Sequence, residues 1–135
     1  MADTNPEQVQ SHDDHTTLAQ LRDLMRQFVT QRAWDKFHQP KNLAASVSIE
    51  AAELLELFQW LTPEETARRC KEDPTFRQAV QEEMADVLMY LFSMANVMDI
   101  DIARAVADKM RRNVAKYPAD KYYGWYERPQ SPPSV

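Results

Sequence analysis

A chain of 135 residues with one glycine, Gly124, and eight prolines is restricted in how it can turn and in how it can hold phosphate. Neither a Walker loop nor a GxGxxG turn can be written anywhere along it. Bound phosphate would have to be held in some other way. The same balance suits helices punctuated by proline. Apolar residues recur with a period near 3.6 in four segments, and alternating runs rich in β-branched residues are missing. The expected fold class is all-α, a four-helix bundle or a close relative.

Residues 1–15 are polar and acidic without periodicity, and residues 127–135 are proline-rich, so both read as disordered tails around one domain at 16–126. Thr17 and Gln20 have capping-box spacing, and Leu18, Leu21, Met25, Phe28 and Val29 continue as an amphipathic first helix. WDKFHQPK at 34–41 breaks that pattern, and a second helix is expected from about Asn42 to Leu61. Thr62-Pro63-Glu64-Glu65 opens a short helix to about Lys71, and Asp73-Pro74 opens a third long helix lasting to about Met98. Asp99 or Asp101 caps the last long helix, which ends near Tyr117-Pro118. Apolar positions on the second and third long helices exceed what one copy would cover, so at least a dimer is expected.

Two of these helices carry acid where the period asks for a core. In SIEAAELLELFQW, Glu50 falls within the sector of Leu43, Val47, Leu54, Phe58 and Leu61, and Glu53 lies about 60° to one side. The third long helix repeats the arrangement 33 residues later, with Glu83 among Phe76, Val80, Val87, Leu91 and Met94 and with Asp86 in the place of Glu53. Carboxylates in a core cost several kcal/mol unless a cation or hydrogen-bond donors compensate them. A divalent ion does so, and oxygen ligands without Cys or His select Mg²⁺, with Mn²⁺ as the alternative. Mg²⁺ keeps waters and favours phosphate oxygens, so such a site implies a phosphorylated substrate. Glu56 and Glu82 project further from the stripe and suit solvent or an outer-shell role.

A net charge of −5 argues against affinity for nucleic acid polymers. One cysteine, Cys70, excludes an internal disulfide and a Cys-rich metal site and is compatible with a reducing compartment. The first residues have no apolar h-region and no run of about 18 apolar residues occurs. A cytoplasmic protein with no membrane partner is expected.

The segments RAWDKFHQPKNL at 32–43, EAAELLELFQW at 50–60, QEEMADVLMYL at 81–91 and KMRRNVAKYP at 109–118 together resemble the MazG-like all-α nucleoside triphosphate pyrophosphohydrolases, most closely the dCTP pyrophosphatase branch. The resemblance covers about residues 18–118. It implies Mg²⁺-dependent cleavage of a nucleoside triphosphate between the α and β phosphates, and a homo-oligomer, dimer or tetramer, with sites where helices of different subunits meet. It implies that Glu50, Glu53, Glu83 and Asp86 bind metal. Trp34, His38, Trp60 and Tyr90 match positions around the nucleotide, and Lys109 and Asn113 match polar residues approaching the substrate. Met25 stands where animal dCTP pyrophosphatases are expected to carry a histidine near the base, which leaves room for modified cytosines or several bases.

Read for their own chemistry, Lys109, Asn113 and Lys116 share one stripe of the last helix, where donors can hold phosphates. Trp34 and Trp60 are flat enough to stack on a base, although aromatics at helical spacing usually belong to a core and a lone loop histidine such as His38 is usually a surface or capping residue; it is the resemblance that assigns these three to the nucleotide, with His38 as a substrate contact and not a base. Glu53, off the stripe centre beside the metal acids, is the expected residue to orient the attacking water, with Glu50 also assigned to catalysis. A di-iron oxidase is disfavoured because His12, His15 and His38 all lie outside the acidic helices. The remaining rival is a noncatalytic helical oligomer or binding module, whose acids pair between subunits with Arg68, Arg69, Arg111 or Arg112.

Overall fold

The computed structural model describes residues 12–124. The tail expected at 127–135, most of that expected at 1–15, and Trp125 and Tyr126 lie outside the described residues. Among the described residues all regular structure is helical, and the chain divides into two compact units between Ile100 and Asp101.

The first unit contains α1 (Leu18–Gln31), a 3₁₀ turn (Asp35–Phe37), α2 (Pro40–Glu56), α3 (Pro63–Glu72) and α4 (Pro74–Val97). Caps start most of these helices. The Thr17 hydroxyl accepts from the Gln20 N–H at 3.2 Å while Gln20 accepts from the Thr17 N–H at 2.7 Å, and Thr62 and Glu65 repeat this at α3. Asp73 accepts from the Phe76 N–H at 3.0 Å to start α4. Pro40 occupies the first turn of α2, so that helix begins before the expected Asn42.

Glycine scarcity shows at the helix ends. α1 ends on Ala33 at φ 52° and α4 on Asp99 at φ 50°, both in the left-handed region. The Trp34 N–H donates to the Val29 carbonyl and the Ala33 N–H to that of Thr30, while the Ile100 N–H donates to that of Ala95. The first is a Schellman closure and the second keeps its 6→1 bond, both made without glycine. Asp99 thus ends α4, and Asp101 caps the next helix.

The second helix is shorter than its periodicity suggests, ending at Glu56 instead of Leu61. Thr62 precedes Pro63 and is extended, with ψ 161°. The chain therefore leaves α2 through i→i−3 bonds from Phe58 to Leu55 and Leu61 to Phe58, both 2.9 Å. Trp60 leaves the helical register and is 84% exposed.

α4 packs against α1, α2 and α3, and the buried apolar residues of the unit are Val29, Leu43, Phe76, Phe92 and Ala95. Burying such larger side chains contributes about 1.5–3 kcal/mol each. Phe76 is held edge-on by Phe58 at 5.3 Å between centroids and covered by the Arg69 guanidinium at 4.3 Å. Further along α4, Arg22 of α1 donates to Asn96 Oδ1 at 3.0 Å and to the Ala95 carbonyl at 3.2 Å, and the Asn96 amide donates to the Arg22 carbonyl at 2.8 Å. Because the neighbour changes along α4, the buried face rotates: Leu91 of the expected stripe is exposed, and Phe92 and Ala95 are buried instead.

The second unit consists of α5 (Ile102–Lys116) and the single turn α6 (Ala119–Tyr122). Asp101 accepts from the Arg104 N–H at 2.9 Å, and Tyr117 meets Tyr122 edge-on at 5.3 Å.

Candidate active site

Glu83 and Asp86 are one turn apart on α4, which puts their side chains side by side. Glu50 approaches them from α2, and one carboxylate oxygen from each of the three lies within 4.8 Å of the others. All three residues are half-buried. Glu53, expected as the counterpart of Asp86, is exposed and outside this trio.

Burial is the main cause that raises the Glu50 and Glu83 carboxyls above the usual carboxylate range. Glu53 and Asp86 then push both further up, joined by Glu83 at Glu50 and by Glu82 at Glu83. Glu83 Oε2 is buried with no hydrogen-bond partner among the described residues. Leaving such an oxygen unpaired is costly. Three hard oxygen donors from two helices, with an unpartnered oxygen on Glu83, fit a divalent cation of the Mg²⁺ or Mn²⁺ type. Two arginines of the rival reading have local partners instead: Arg69 pairs with Asp73 at 3.1 Å, and Arg111 with Asp108.

At 100° per residue, Glu83, Asp86, Tyr90, Ser93 and Val97 fall within about 80° of one another on α4. This face leads from the acids to a cleft of about 330 Å³ between α4, α1 and the loop before α2, lined by Met25, Val29, His38, Ser93, Asn96 and Val97 among others. The acids are not part of that cleft. Asp86 and Ser93 are separated by about 10 Å of helix rise. His38 is half-buried at the cleft and belongs to a loop tied down by the Asn42 amide, which donates to the Phe37 carbonyl at 3.2 Å.

Tyr90 is half-buried on the connecting face. Trp34 is 43% exposed and meets Phe28 edge-on at 5.7 Å. Trp60 stands in the turn after α2. Lys109, exposed, and Asn113, half-buried, lie on α5 in the second unit.

Arg26, Ser93, Asn96 and Val97 line the cleft and were not singled out by sequence reasoning. One signal was available: Ser93 and Val97 continue the helical series begun by Glu83, Asp86 and Tyr90. The apolar residues around Ser93 conceal it.

The MazG-like family model matches residues 45–127. The chain is 43% identical over 103 residues to human dCTP pyrophosphatase 1 and 42% identical over 102 residues to the Rattus norvegicus protein of the same name, which is 76% of this chain in each case. It spans about three-fifths of the length of these curated relatives, 60% and 59%. The crystal structure of a pyrophosphatase from Archaeoglobus fulgidus superposes with a TM-score of 0.70 at 44% identity, covering 79% of this chain and 97% of that one.

Proposed function

This chain belongs to the MazG-like family, and we propose that it hydrolyses a nucleoside triphosphate, dCTP or a modified dCTP, to the monophosphate and pyrophosphate with the help of Mg²⁺ or Mn²⁺. The observation that carries this reading is the convergence of Glu50, Glu83 and Asp86, together with a buried Glu83 oxygen that has no hydrogen-bond partner among the described residues. The similarity to dCTP pyrophosphatase 1 supports the choice of substrate.

Glu50, Glu83 and Asp86 would hold the cation, and Glu53, exposed beside them and assigned with them to metal binding, orients a water toward the α phosphorus and takes its proton. The water oxygen bonds to that phosphorus while the bond to the α–β bridging oxygen breaks, and pyrophosphate leaves. A bound divalent ion supplies charge neutralisation for the triphosphate and lowers the pKa of a coordinated water. The α4 face carries the nucleotide from the acids past Tyr90 to the cleft, where the base sits near Met25 and His38. Trp34 and Trp60 pack on the nucleotide, while Lys109 and Asn113 contact its polar groups.

The assembly belongs to the same proposal: the chain pairs into a dimer or tetramer. Met84, Leu88 and Leu91, at i, i+4 and i+7 on α4, are all exposed, and a second copy covers them. Among the described residues no helix is long and apolar enough to cross a membrane. Cytoplasmic clearance of unwanted nucleotides is the role this chemistry suits.

The test is pyrophosphate release from a panel of dNTPs and NTPs, including 5-methyl-dCTP, with and without Mg²⁺. Release that needs metal and is best with a cytosine nucleotide is expected. A folded wild type that releases none from any nucleotide, and is not stabilised by Mg²⁺ with nucleotide, would overturn this reading in favour of a noncatalytic helical oligomer.

A further inference from the structure

Ser93 is the one polar residue among the buried residues of α4, at 3% exposure, and its hydroxyl has no hydrogen-bond partner among the described residues. A serine within a helix can quiet its hydroxyl on the carbonyl four residues back, as Ser48 does by donating to Ala44 at 3.0 Å. Ser93 does not. It lines the cleft, where it has unused capacity to donate and to accept.

Two of its polar neighbours in the cleft are otherwise engaged. Asn96 Oδ1 accepts from Arg22 at 3.0 Å and from Arg26 at 3.4 Å, and its amide donates to the Arg22 carbonyl. Arg26, also at the cleft, is paired with Asp23 at 2.9 Å. Met25 presents a thioether, which packs against a ring and accepts only weakly. The lining is therefore mixed, with Asp35, His38 and Gln39 adding polar groups beside Met25, Val29 and Val97, and Ser93 contributes a buried hydroxyl without a partner among the described residues.

Resting on the functional reading above, we infer that the Ser93 hydroxyl hydrogen-bonds to the edge of the substrate's pyrimidine base and is a specificity-determining residue for the reaction. An unpaired buried hydroxyl costs the free protein stability. A base that satisfies it removes that cost on binding, whereas one presenting the wrong edge leaves it in place. Because the contact is remote from the α phosphorus, it acts through binding and shows in KM more than in kcat.

The experiment is steady-state pyrophosphate release from dCTP, dUTP and dTTP by the full chain with Mg²⁺, comparing wild type with Ser93→Ala and Ser93→Cys. For the base that wild type prefers, Ser93→Ala should lower kcat/KM about tenfold, through KM, and change it less than about twofold for the poorest base. Ser93→Cys, similar in shape but a weak hydrogen-bonder, should follow Ser93→Ala. Without nucleotide, Ser93→Ala should melt at or above the wild-type temperature. With wild type active, an equal loss for all three bases, no loss for any, or a lower melting temperature for Ser93→Ala overturns the inference and leaves the hydrolase reading standing. A folded wild type inactive on every nucleotide overturns both.

Discussion

Glu50 of α2 reaches to within 4.8 Å of Glu83 of α4, so two helices meet through carboxylates whose burial and mutual repulsion both oppose ionisation. Such a contact stabilises the fold only when protonated or when shared with a cation.

The first prediction concerns pH. Both carboxyls are raised in the folded state, so their contribution to stability is fully present below the ordinary carboxylate range and is lost as pH rises through the raised folded values. Other acids have the opposite sign: Asp73 is held low, chiefly by the Phe76 N–H, and its contribution is lost as pH falls. The difference between wild type and Glu83→Gln isolates the site. In metal-free buffer, Glu83→Gln should melt higher than wild type at neutral pH, and the gap should close in mild acid. Thermal denaturation across that range checks it.

Metal should reverse the order. Mg²⁺ should raise the melting temperature of wild type at neutral pH more than in mild acid, because ligation requires ionised carboxylates. It should leave Glu83→Gln nearly unmoved. Turnover of that variant should fall about a hundredfold or more. Equal stabilisation of both proteins by Mg²⁺ would place the cation elsewhere.

Glu53 separates ligand from base. Because it stands outside the trio, Glu53→Gln should keep most of the Mg²⁺-dependent rise in melting temperature while kcat falls about 10²–10⁴-fold. Full turnover at saturating Mg²⁺ would remove Glu53 from the chemistry.

Ala33 holds φ 52°, a conformation costing an L-residue about 1–2 kcal/mol. Ala33→Gly relieves this, offset by the greater freedom of glycine in the unfolded chain. A gain of about 0.5–1 kcal/mol by denaturant titration is expected. A loss would show that the closure after α1 depends on the alanine methyl group.

Leu88 is 46% exposed on α4 between Met84 and Leu91. Leu88→Lys should lower the molecular mass measured by sedimentation equilibrium, since an interface core excludes an unpaired charge. An unchanged mass would mean that this stripe is not the surface between copies.

Local grammar was legible along the chain. Thr17, Thr62 and Asp73 cap where their spacing requires, since a cap depends only on residues a few positions away. The all-α class followed from the 3.6 period in the same way. Glu50 and Glu83 stood out because an acid in an apolar stripe conflicts with its surroundings, a conflict visible in one dimension, and Glu53 and Asp86 stood out by their repeated spacing three residues on. Helix ends were harder to read: α1 and α4 close on left-handed Ala33 and Asp99, where no glycine marks the place.

By itself, then, the sequence determined where helices start, that they are helices, and which acids sit in the apolar stripes, all consequences of neighbours within a turn or two. Only the tertiary structure decided which acids meet. Glu53 and Asp86 have equivalent spacing, yet α2–α4 packing brings Asp86 to Glu50 and leaves Glu53 exposed. It also decided that the buried face of α4 rotates as its neighbour changes, moving Leu91 outward and setting Ser93 in the cleft. Helical period gives an angle about one axis, whereas burial depends on what packs there, and that is set by residues distant in the chain.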